Sequence, residues 1–307
     1  VVRRVQSARM AARVRTLRAG LVGEPAAGMG DCYVSPTDLK RHLGVETRVL
    51  HPKQLKALLD SVSEQDINRE RDEDRKRFVV DAGAEPLRLA LHTGLALRRW
   101  LEKERLGAWS FSFPPASRTA GLQTAPWLEA SKRLADGIGY GAEGDLLTAS
   151  LVAGLAAGNP ATSFTEISCP DWKNASLYLS HEGEINWRLA VPRARLVQSD
   201  AQEGAVCVAG RFRPGEVLIV NLLPLEPLQE AGYRLVLAPA TMLAVKSRDR
   251  IDRRPHGWAK PKLPLAEFLS EYSRHGGGHH LAVSYDLSVP VAESFGQMMG
   301  WQTVVLA

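Results

Sequence analysis

Side chains of the kinds that bind divalent metals occur at four places between residues 143 and 280. The candidates are Glu143, Glu166, His181 and the adjacent pair His279 and His280. Carboxylate oxygens and imidazole nitrogens together suit a divalent cation of intermediate hardness, such as Mn²⁺. Their spacing matches no short metal-binding motif, so these residues can form a metal site only if the fold brings distant segments together.

The turn that contains Glu143 has two interpretations. Glycines surround Glu143 in the segment 139–145, and they permit a tight turn with unusual backbone angles. An apolar helix pattern begins at Leu146, so Glu143 and Asp145 stand near a helix N-terminus, where carboxylates are favoured. In the first interpretation both acidic residues are helix caps. In the second, Glu143 is a carboxylate that points into a binding site.

The composition is that of a globular protein. The 307 residues are 45% hydrophobic and 24% charged, which is enough chain for two domains of ordinary size. No apolar run is long enough to cross a bilayer, and the N-terminal segment lacks the continuous apolar core of a signal peptide. Cys32, Cys169 and Cys207 form no CxxC pair, which argues against a zinc ribbon and favours a reducing cytoplasm.

The basic residues are concentrated at the N-terminus, although the net charge is only +5, from 39 basic and 34 acidic residues. Arginines occupy positions 3, 4, 9, 13, 15 and 18. They suit either a nucleic-acid-binding arm or the solvated face of an amphipathic helix whose other face carries Met10 and Val14. We favour the helix, because no aromatic stacking platform accompanies the arginines. We therefore expect neither a nucleic-acid partner nor a membrane partner.

The N-terminal half predicts a layer of parallel strands and helices. Strand patterns occur at residues 18–23, 46–50 and 108–113, and helical patterns occur at 2–17, 52–62 and 84–105. This alternation is typical of a parallel α/β sheet. Ligands usually bind at the carboxyl ends of such strands, and the loop with Glu143 can lie there. The charge-rich segment 63–82 predicts a solvated helix or a mobile connection.

The C-terminal half follows a different pattern. Short apolar runs bounded by Gly, Pro or Asn predict antiparallel strands of a barrel or sandwich at residues 175–179, 205–209, 216–222 and 233–237. Helical patterns return at 265–272 and 291–299, before a terminal strand at 302–306. We therefore predict an α/β domain over residues 1–161 and a β-rich domain over 162–307. The site would lie between them, as is common for binding sites.

Several motifs in this order resemble the L-arabinose and L-fucose isomerases. The most specific is Gly-Ala-Glu-Gly-Asp at residues 141–145, followed by Thr148 and Ala149. The others are Pro126-Trp127-Leu128, Ser163-Phe164-Thr165-Glu166, Ser180-His181 and Gly277-Gly278-His279-His280. The resemblance implies Mn²⁺, or another divalent metal, held by Glu143, Glu166, His181 and His280. It also implies that Glu143 and Glu166 share the acid–base chemistry.

The same resemblance implies a fold and an activity. The fold is an α/β layer followed by an antiparallel, barrel-like domain. The activity is aldose–ketose isomerisation of a free sugar through an enediol, by a cytoplasmic intramolecular oxidoreductase. Family members carry a further α/β domain before the matching region, which we expect this chain to lack. A neighbouring subunit completes their pocket, so we expect a trimer or hexamer. The alternative is a non-catalytic sugar- or sugar-phosphate-binding relative that kept the fold.

Overall fold

The structure is a computed structural model that describes residues 2–25, 30–112, 122–199, 202, 204–225, 232–245 and 253–307. Its helices are α1 (Val2–Arg15), α2 (Pro36–Asp38, continued by the π-helical turn Leu39–Leu43), α3 (Pro52–Ser61), α4 (Glu64–Arg77), α5 (Ala84–Lys103), α6 (Trp127–Ala135), α7 (Leu146–Gly158), α8 (Leu265–Arg274) and α9 (Val289–Met299). Short 3₁₀ turns lie at Gly30–Cys32 and Trp187–Leu189. None of the described helices is long and apolar enough to cross a membrane.

The strands fall into two sheets. They are β1 (Arg18–Val22), β2 (Glu46–Leu50), β3 (Val79–Val80), β4 (Ala108–Phe111), β5 (Gly139–Ala142), β6 (Thr162–Asp171), β7 (Ser176–Ser180), β8 (Ala190–Gln198), β9 (Val206–Phe212), β10 (Gly215–Pro224), β11 (Tyr233–Met242), β12 (Pro255–Pro261), β13 (His280–Tyr285) and β14 (Gln302–Val305). The first sheet has the order β2-β1-β4-β5, and its neighbouring strands all run parallel. This confirms the parallel α/β layer.

The second sheet contains a closed antiparallel barrel. Its ring runs β11-β10-β13-β6-β7-β12 and closes where β12 pairs with β11. Outside the ring, β9 continues from β12, β8 and β3 follow in turn, and β14 pairs with β11. The barrel-like fold is therefore confirmed, and a sandwich is not what these strands form.

The predicted elements reappear with modest changes of length. The strand predicted at 233–237 extends to Met242, and the helices predicted at 265–272 and 291–299 span Leu265–Arg274 and Val289–Met299. The strand predicted at 108–113 is described as Ala108–Phe111, and residue 113 lies outside the described residues. The domain boundary at residue 161 stays a prediction, although β6 begins next to it at Thr162.

The segment predicted to be solvated or mobile forms α4, and its inner face is buried. Asp74 has a fully buried side chain that accepts from Lys132 Nζ on α6 at 2.5 Å. The same ammonium group contacts Glu70 at 2.8 Å, and Arg98 on α5 binds Glu70 and Glu129. The acidic side chains on this face are therefore internal ion-pair partners of cations on α5 and α6.

Aromatic rings connect the two sheets beneath the carboxyl end of β5. Trp109 and Tyr140, on β4 and β5, meet edge to face with ring centroids 5.1 Å apart. Tyr140 in turn contacts Phe164 on β6 at 5.7 Å, and all three rings are fully buried. Edge-to-face pairs of this kind add stabilisation beyond the area that they bury. The contact fixes the β5 loop against the barrel strands that carry the candidate histidines.

Candidate functional site

Glu143 occupies a strained position at the end of β5. Its backbone φ is +60°, in the left-handed region that non-glycine residues rarely adopt, and Gly144 follows with φ +89°. Two hydrogen bonds hold this turn: the Glu143 N–H donates to the Phe111 carbonyl at 2.8 Å, and the Gly144 N–H donates to Ser110 Oγ at 2.9 Å. Such strain costs free energy and clusters at functional sites, which makes Glu143 a strong candidate.

Asp145 and Glu143 behave differently in this turn. The helix-cap interpretation fits Asp145, and the binding-site interpretation fits Glu143. Asp145 caps α7, because its Oδ1 accepts from the Thr148 N–H at 2.8 Å. Glu143 instead directs its Oε2 towards two imidazoles, 3.5 Å from His280 Nε2 and 4.0 Å from His279 Nε2. The contact with His279 and the neighbouring imidazole charges hold the pKa of the Glu143 carboxyl below its usual value, although burial opposes them.

His280 is buried with one ring nitrogen bonded and the other facing Glu143. Its Nδ1 lies 3.1 Å from Asp145 Oδ2, and its Nε2 has no hydrogen-bond partner among the described residues. Burial lowers the pKa of His280, but the bond to Asp145 and the contact with Cys32 outweigh it and raise the pKa to about 10. A cation that binds this ring must therefore displace a proton.

The local sequence explains how the two histidines are presented. Gly277 lies against the Tyr272 ring, where an added Cβ would approach a ring atom to 2.3 Å, so only glycine fits there. Tyr272 donates its hydroxyl to the Gly278 carbonyl at 2.6 Å. Asn221 on β10 donates to the His280 carbonyl at 2.7 Å and accepts from the Gly278 N–H at 3.3 Å. The glycine run thus lets the chain pass closely beneath α8 before β13 begins.

Glu166 and His181 lie around the His280 ring, on neighbouring barrel strands. Glu166 on β6 is the direct register partner of His280 on β13, so the two side chains share one face of the sheet. His181 follows β7, and its ring centroid is 5.6 Å from that of His280. Phe164 contacts both rings, at 5.2 Å and 5.1 Å.

The tightest cluster of ligand atoms differs from the predicted set. Atoms of Cys32, Glu143, His279 and His280 all lie within 4.8 Å of one another. Glu166 and His181 do not belong to this cluster of the described residues. The ligand set Glu143, Glu166, His181 and His280 therefore stays a prediction.

The sequence analysis did not find the residue that orients His181. The buried Glu184 carboxylate accepts from Tyr140 Oη at 2.8 Å, and its other oxygen lies 2.7 Å from His181 Nδ1. Burial lowers the pKa of His181, but Glu184 offsets this and leaves that pKa above its usual value. His181 and His280 are therefore both held at Nδ1 by a carboxylate, an arrangement typical of metal-binding histidines. The signal in the sequence was only the spacing of three residues between His181 and Glu184.

Cys32 was also missed. It ends the 3₁₀ turn that follows β1, and the loops after β1 and β5 meet at the same edge of the parallel sheet. A cavity of about 240 Å³ opens beside it, lined in part by Cys32, Asp145, Asn221 and His280. This volume is below the range of about 300–1,000 Å³ that is usual for drug-sized ligands, so the cavity suits a small molecule.

Comparison with known proteins shows which proteins this chain is similar to in sequence. The family model for the L-arabinose isomerase central domain matches residues 36–157. L-arabinose isomerase 2 of Clostridium acetobutylicum is 26% identical over 270 residues, which cover 82% of this chain. The L-arabinose isomerases of Geobacillus thermodenitrificans and Acidothermus cellulolyticus are each 28% identical, over 80% and 85% of this chain.

The chain is similar to the L-arabinose isomerases over most of its length. It spans about half the length of the curated relatives that it matches, between 51% and 54% of these three proteins. The central-domain match of the L-arabinose isomerases ends within α7 and includes Glu143. The longer alignments with individual L-arabinose isomerases cover more of the chain than this domain does.

Proposed function

We propose that this chain carries the metal and acid–base centre of a sugar isomerase that interconverts an aldose and a ketose. The observation that carries the proposal is the Glu143 carboxylate, held in a strained turn 3.5 Å from the buried His280 Nε2. The names of its relatives support a sugar as the substrate. We infer a free pentose, hexose or deoxyhexose, and a reducing cytoplasm, which is consistent with three cysteines that form no disulfide.

The residues present fit a divalent metal. The buried His280 Nε2 has no hydrogen-bond partner among the described residues, and a carboxylate oxygen faces it, as a cation between them would require. We infer that Glu143, Glu166, His181 and His280 hold the metal, with Mn²⁺ preferred, because two oxygen and two nitrogen donors suit a cation of that hardness. When bound, the metal supplies a positive charge that polarises sugar oxygens and stabilises the enediolate.

The acid–base chemistry falls to the two glutamates. Isomerisation removes a proton from the carbon beside the carbonyl and returns it to the neighbouring carbon, and a carboxylate within hydrogen-bond reach can carry that proton. The lowered pKa of Glu143 keeps it ionised and ready to accept a proton at neutral pH. Glu166 is then the second carboxylate, on the strand opposite His280. We infer that His279, half-buried beside Glu143, binds a sugar hydroxyl.

The test of this function is exchange of the C2 proton with solvent, together with ketose formation, over a panel of free pentoses, hexoses and deoxyhexoses with added Mn²⁺. We expect at least one sugar to exchange its proton. Tight binding of a sugar by metal-loaded protein without any exchange would instead identify a non-catalytic sugar-binding relative.

Metal content gives a second expected result. We expect one Mn²⁺ per chain, and a melting temperature that rises with Mn²⁺ because a ligand that binds only the folded state adds about 2.7 kcal/mol at a hundredfold excess over Kd. Glu143→Gln and His280→Ala should each lose stoichiometric metal when measured after equilibrium dialysis. His51→Ala, which changes an exposed histidine at the start of α3, is the control that keeps it. Stoichiometric Mn²⁺ in both site variants would contradict the ligand assignment.

Assembly is a third expectation. We infer a homo-oligomer of at least three chains, a trimer or hexamer, because the family resemblance implies that a neighbouring subunit supplies part of the substrate pocket. Sedimentation velocity at micromolar concentration should give a species of at least three times the 33.6 kDa chain mass. A monomer at every concentration would remove the shared pocket from the proposal.

A further inference from the structure

A thiol lies against both imidazoles of the candidate centre. Cys32 Sγ is 3.5 Å from His280 Nδ1 and 3.9 Å from His279 Nε2, and the residue is 3% exposed. A carboxylate–imidazole site for Mn²⁺ does not need sulfur, because Mn²⁺ prefers oxygen and nitrogen donors. The cysteine therefore adds a type of donor that the proposed isomerase chemistry leaves unused.

Four donors of different kinds surround one small volume. Cys32 Sγ, a Glu143 oxygen and one nitrogen each from His279 and His280 lie within 4.8 Å of one another. Ligands of a tetrahedral zinc ion, with bonds of about 2.0–2.3 Å, stand about 3.4 Å apart, so closure around an ion requires movements on the order of 1 Å. Rotations of the exposed parts of the Glu143 and His279 side chains, which are 17% and 29% exposed, can supply them.

We propose that Cys32, Glu143, His279 and His280 form a second, thiolate-containing coordination mode of this centre, which takes Zn²⁺ or Co²⁺ in preference to Mn²⁺. Thiolate is a soft ligand that selects zinc over manganese, and zinc binds the same types of donor in tetrahedral sites. Binding converts the Cys32 thiol to a thiolate, and its proton is released to solvent.

A second observation supports the site independently of the cysteine. The His280 ring is 3% exposed, and its Nε2 faces Glu143 with no hydrogen-bond partner among the described residues. Asp145 lies 3.1 Å from the opposite ring nitrogen, where a carboxylate orients an imidazole for metal binding. The ring is thus held in the orientation that a ligand needs.

The two modes exclude each other, and this consequence rests on the proposed function. Glu143 and His280 are metal ligands in both modes. Glu166 and His181 ligate the metal only in the isomerase mode, and Cys32 and His279 only in the thiolate mode. Zinc bound through Cys32 should therefore inhibit the isomerase by displacing Mn²⁺. Chelation of the zinc followed by addition of Mn²⁺ should restore the activity.

Cobalt spectroscopy tests the ligand set without any activity assay. Co²⁺ added to the metal-free chain should produce the near-ultraviolet charge-transfer band of a cobalt–thiolate bond, at one equivalent per chain. Cys32→Ser should abolish the band and weaken Zn²⁺ binding, measured by competition with a chromogenic chelator, by at least about 100-fold, since even outer-shell changes cost about 10- to 100-fold. Cys169→Ser, which changes an exposed cysteine, and Glu166→Gln should both keep the band.

X-ray absorption of the zinc-loaded wild-type chain tests the same ligand set without any variant, so the result does not depend on whether a variant folds. We expect one sulfur at about 2.3 Å beside nitrogen and oxygen neighbours at about 2.0–2.1 Å. A shell of nitrogen and oxygen alone, or a cobalt band that survives Cys32→Ser, overturns the thiolate mode and leaves the isomerase proposal standing. The reverse pattern, zinc–sulfur coordination without sugar turnover in Mn²⁺, leaves the thiolate mode standing and removes the isomerase.

Discussion

Replacing Glu143 or Glu166 by Gln is expected to lower the rate of sugar isomerisation by about 10²-fold or more each, as is usual for loss of a general acid–base group. Gln keeps the size and the hydrogen-bonding reach of Glu, so the strained Glu143 turn can be retained while the proton-transfer group is lost. The double variant should be slower than either single variant by only a small further factor, because groups that act as a unit are not additive. The measurement is C2 proton exchange with saturating Mn²⁺.

A surface glutamate on the same barrel provides the control for these variants. Glu216 on β10 is an exposed residue that binds Lys262 at 2.7 Å, so Glu216→Gln should leave the rate unchanged. Circular dichroism of each variant establishes that it is folded. Full activity in Glu166→Gln, or losses in the double variant that simply multiply, would show that the two carboxylates do not share one reaction.

The alternation of strands and helices could be predicted because the spacing of apolar residues within each short segment indicates which of the two it forms. The strands β1, β2 and β4 each follow from a local apolar run, and the parallel order follows from the intervening helices. Barrel closure had no such signal. Closure depends on the pairing of β11 with β12, in which Thr241 lies opposite Lys260. No local sequence pattern predicts which residues of these two strands pair. A barrel and a sandwich therefore looked alike from strand patterns alone.

In the candidate site, too, some residues could be predicted from the sequence and others could not. Glu143 and the His279–His280 pair were identified by glycine-rich surroundings and by family motifs, and the structure places them together. Cys32 was not identified, because it meets His280 across 248 residues and nothing near it in the sequence marks a ligand. Glu184 was missed for another reason: its role depends on the fold turning its carboxylate back to His181.

The charge-rich helix α4 shows why burial of ionic residues is hard to read from sequence. A run of alternating charges predicts a solvated surface, and most of α4 is exposed. Asp74 is the exception, fully buried because Lys132 from α6 reaches it. Burial raises the pKa of Asp74 despite the attraction of Lys132. The nearer of its two cations, Lys132, lies 58 residues away in sequence, beyond the reach of any local pattern, whereas Arg77 on α4 stands 3.8 Å from Asp74.

The Lys132→Met protein is therefore expected to lose about 3–5 kcal/mol of unfolding free energy, the usual cost of removing one partner from a buried ion pair. Met preserves much of the volume of the lysine stem, so the loss reports charge and not a cavity. The side chains of Lys132 and Asp74 are 3% and 0% exposed, and the ammonium also contacts Glu70 at 2.8 Å. The variant leaves the buried Asp74 carboxylate with only a more distant cation, Arg77, at 3.8 Å. Urea unfolding followed by circular dichroism measures the difference.

A surface ion pair provides the control for this stability measurement. Lys56→Met removes an exposed pair with Asp60, whose side chains are 76% and 62% exposed, and it should change stability by less than about 1 kcal/mol. Adding Asp74→Asn to Lys132→Met should recover part of the loss, because the orphaned charge is removed together with its partner.

The stability deficit of Lys132→Met should also depend on pH. The pKa of Asp74 is already raised by burial, and loss of Lys132 raises it further. A group whose folded pKa lies above its unfolded pKa binds more protons in the folded state, so folding gains stability as pH falls through the folded pKa. The difference from wild type should therefore narrow on acidification, as protonation neutralises Asp74. A deficit that stays constant between neutral and mildly acidic pH would show that packing, and not the unpaired carboxylate, causes the loss.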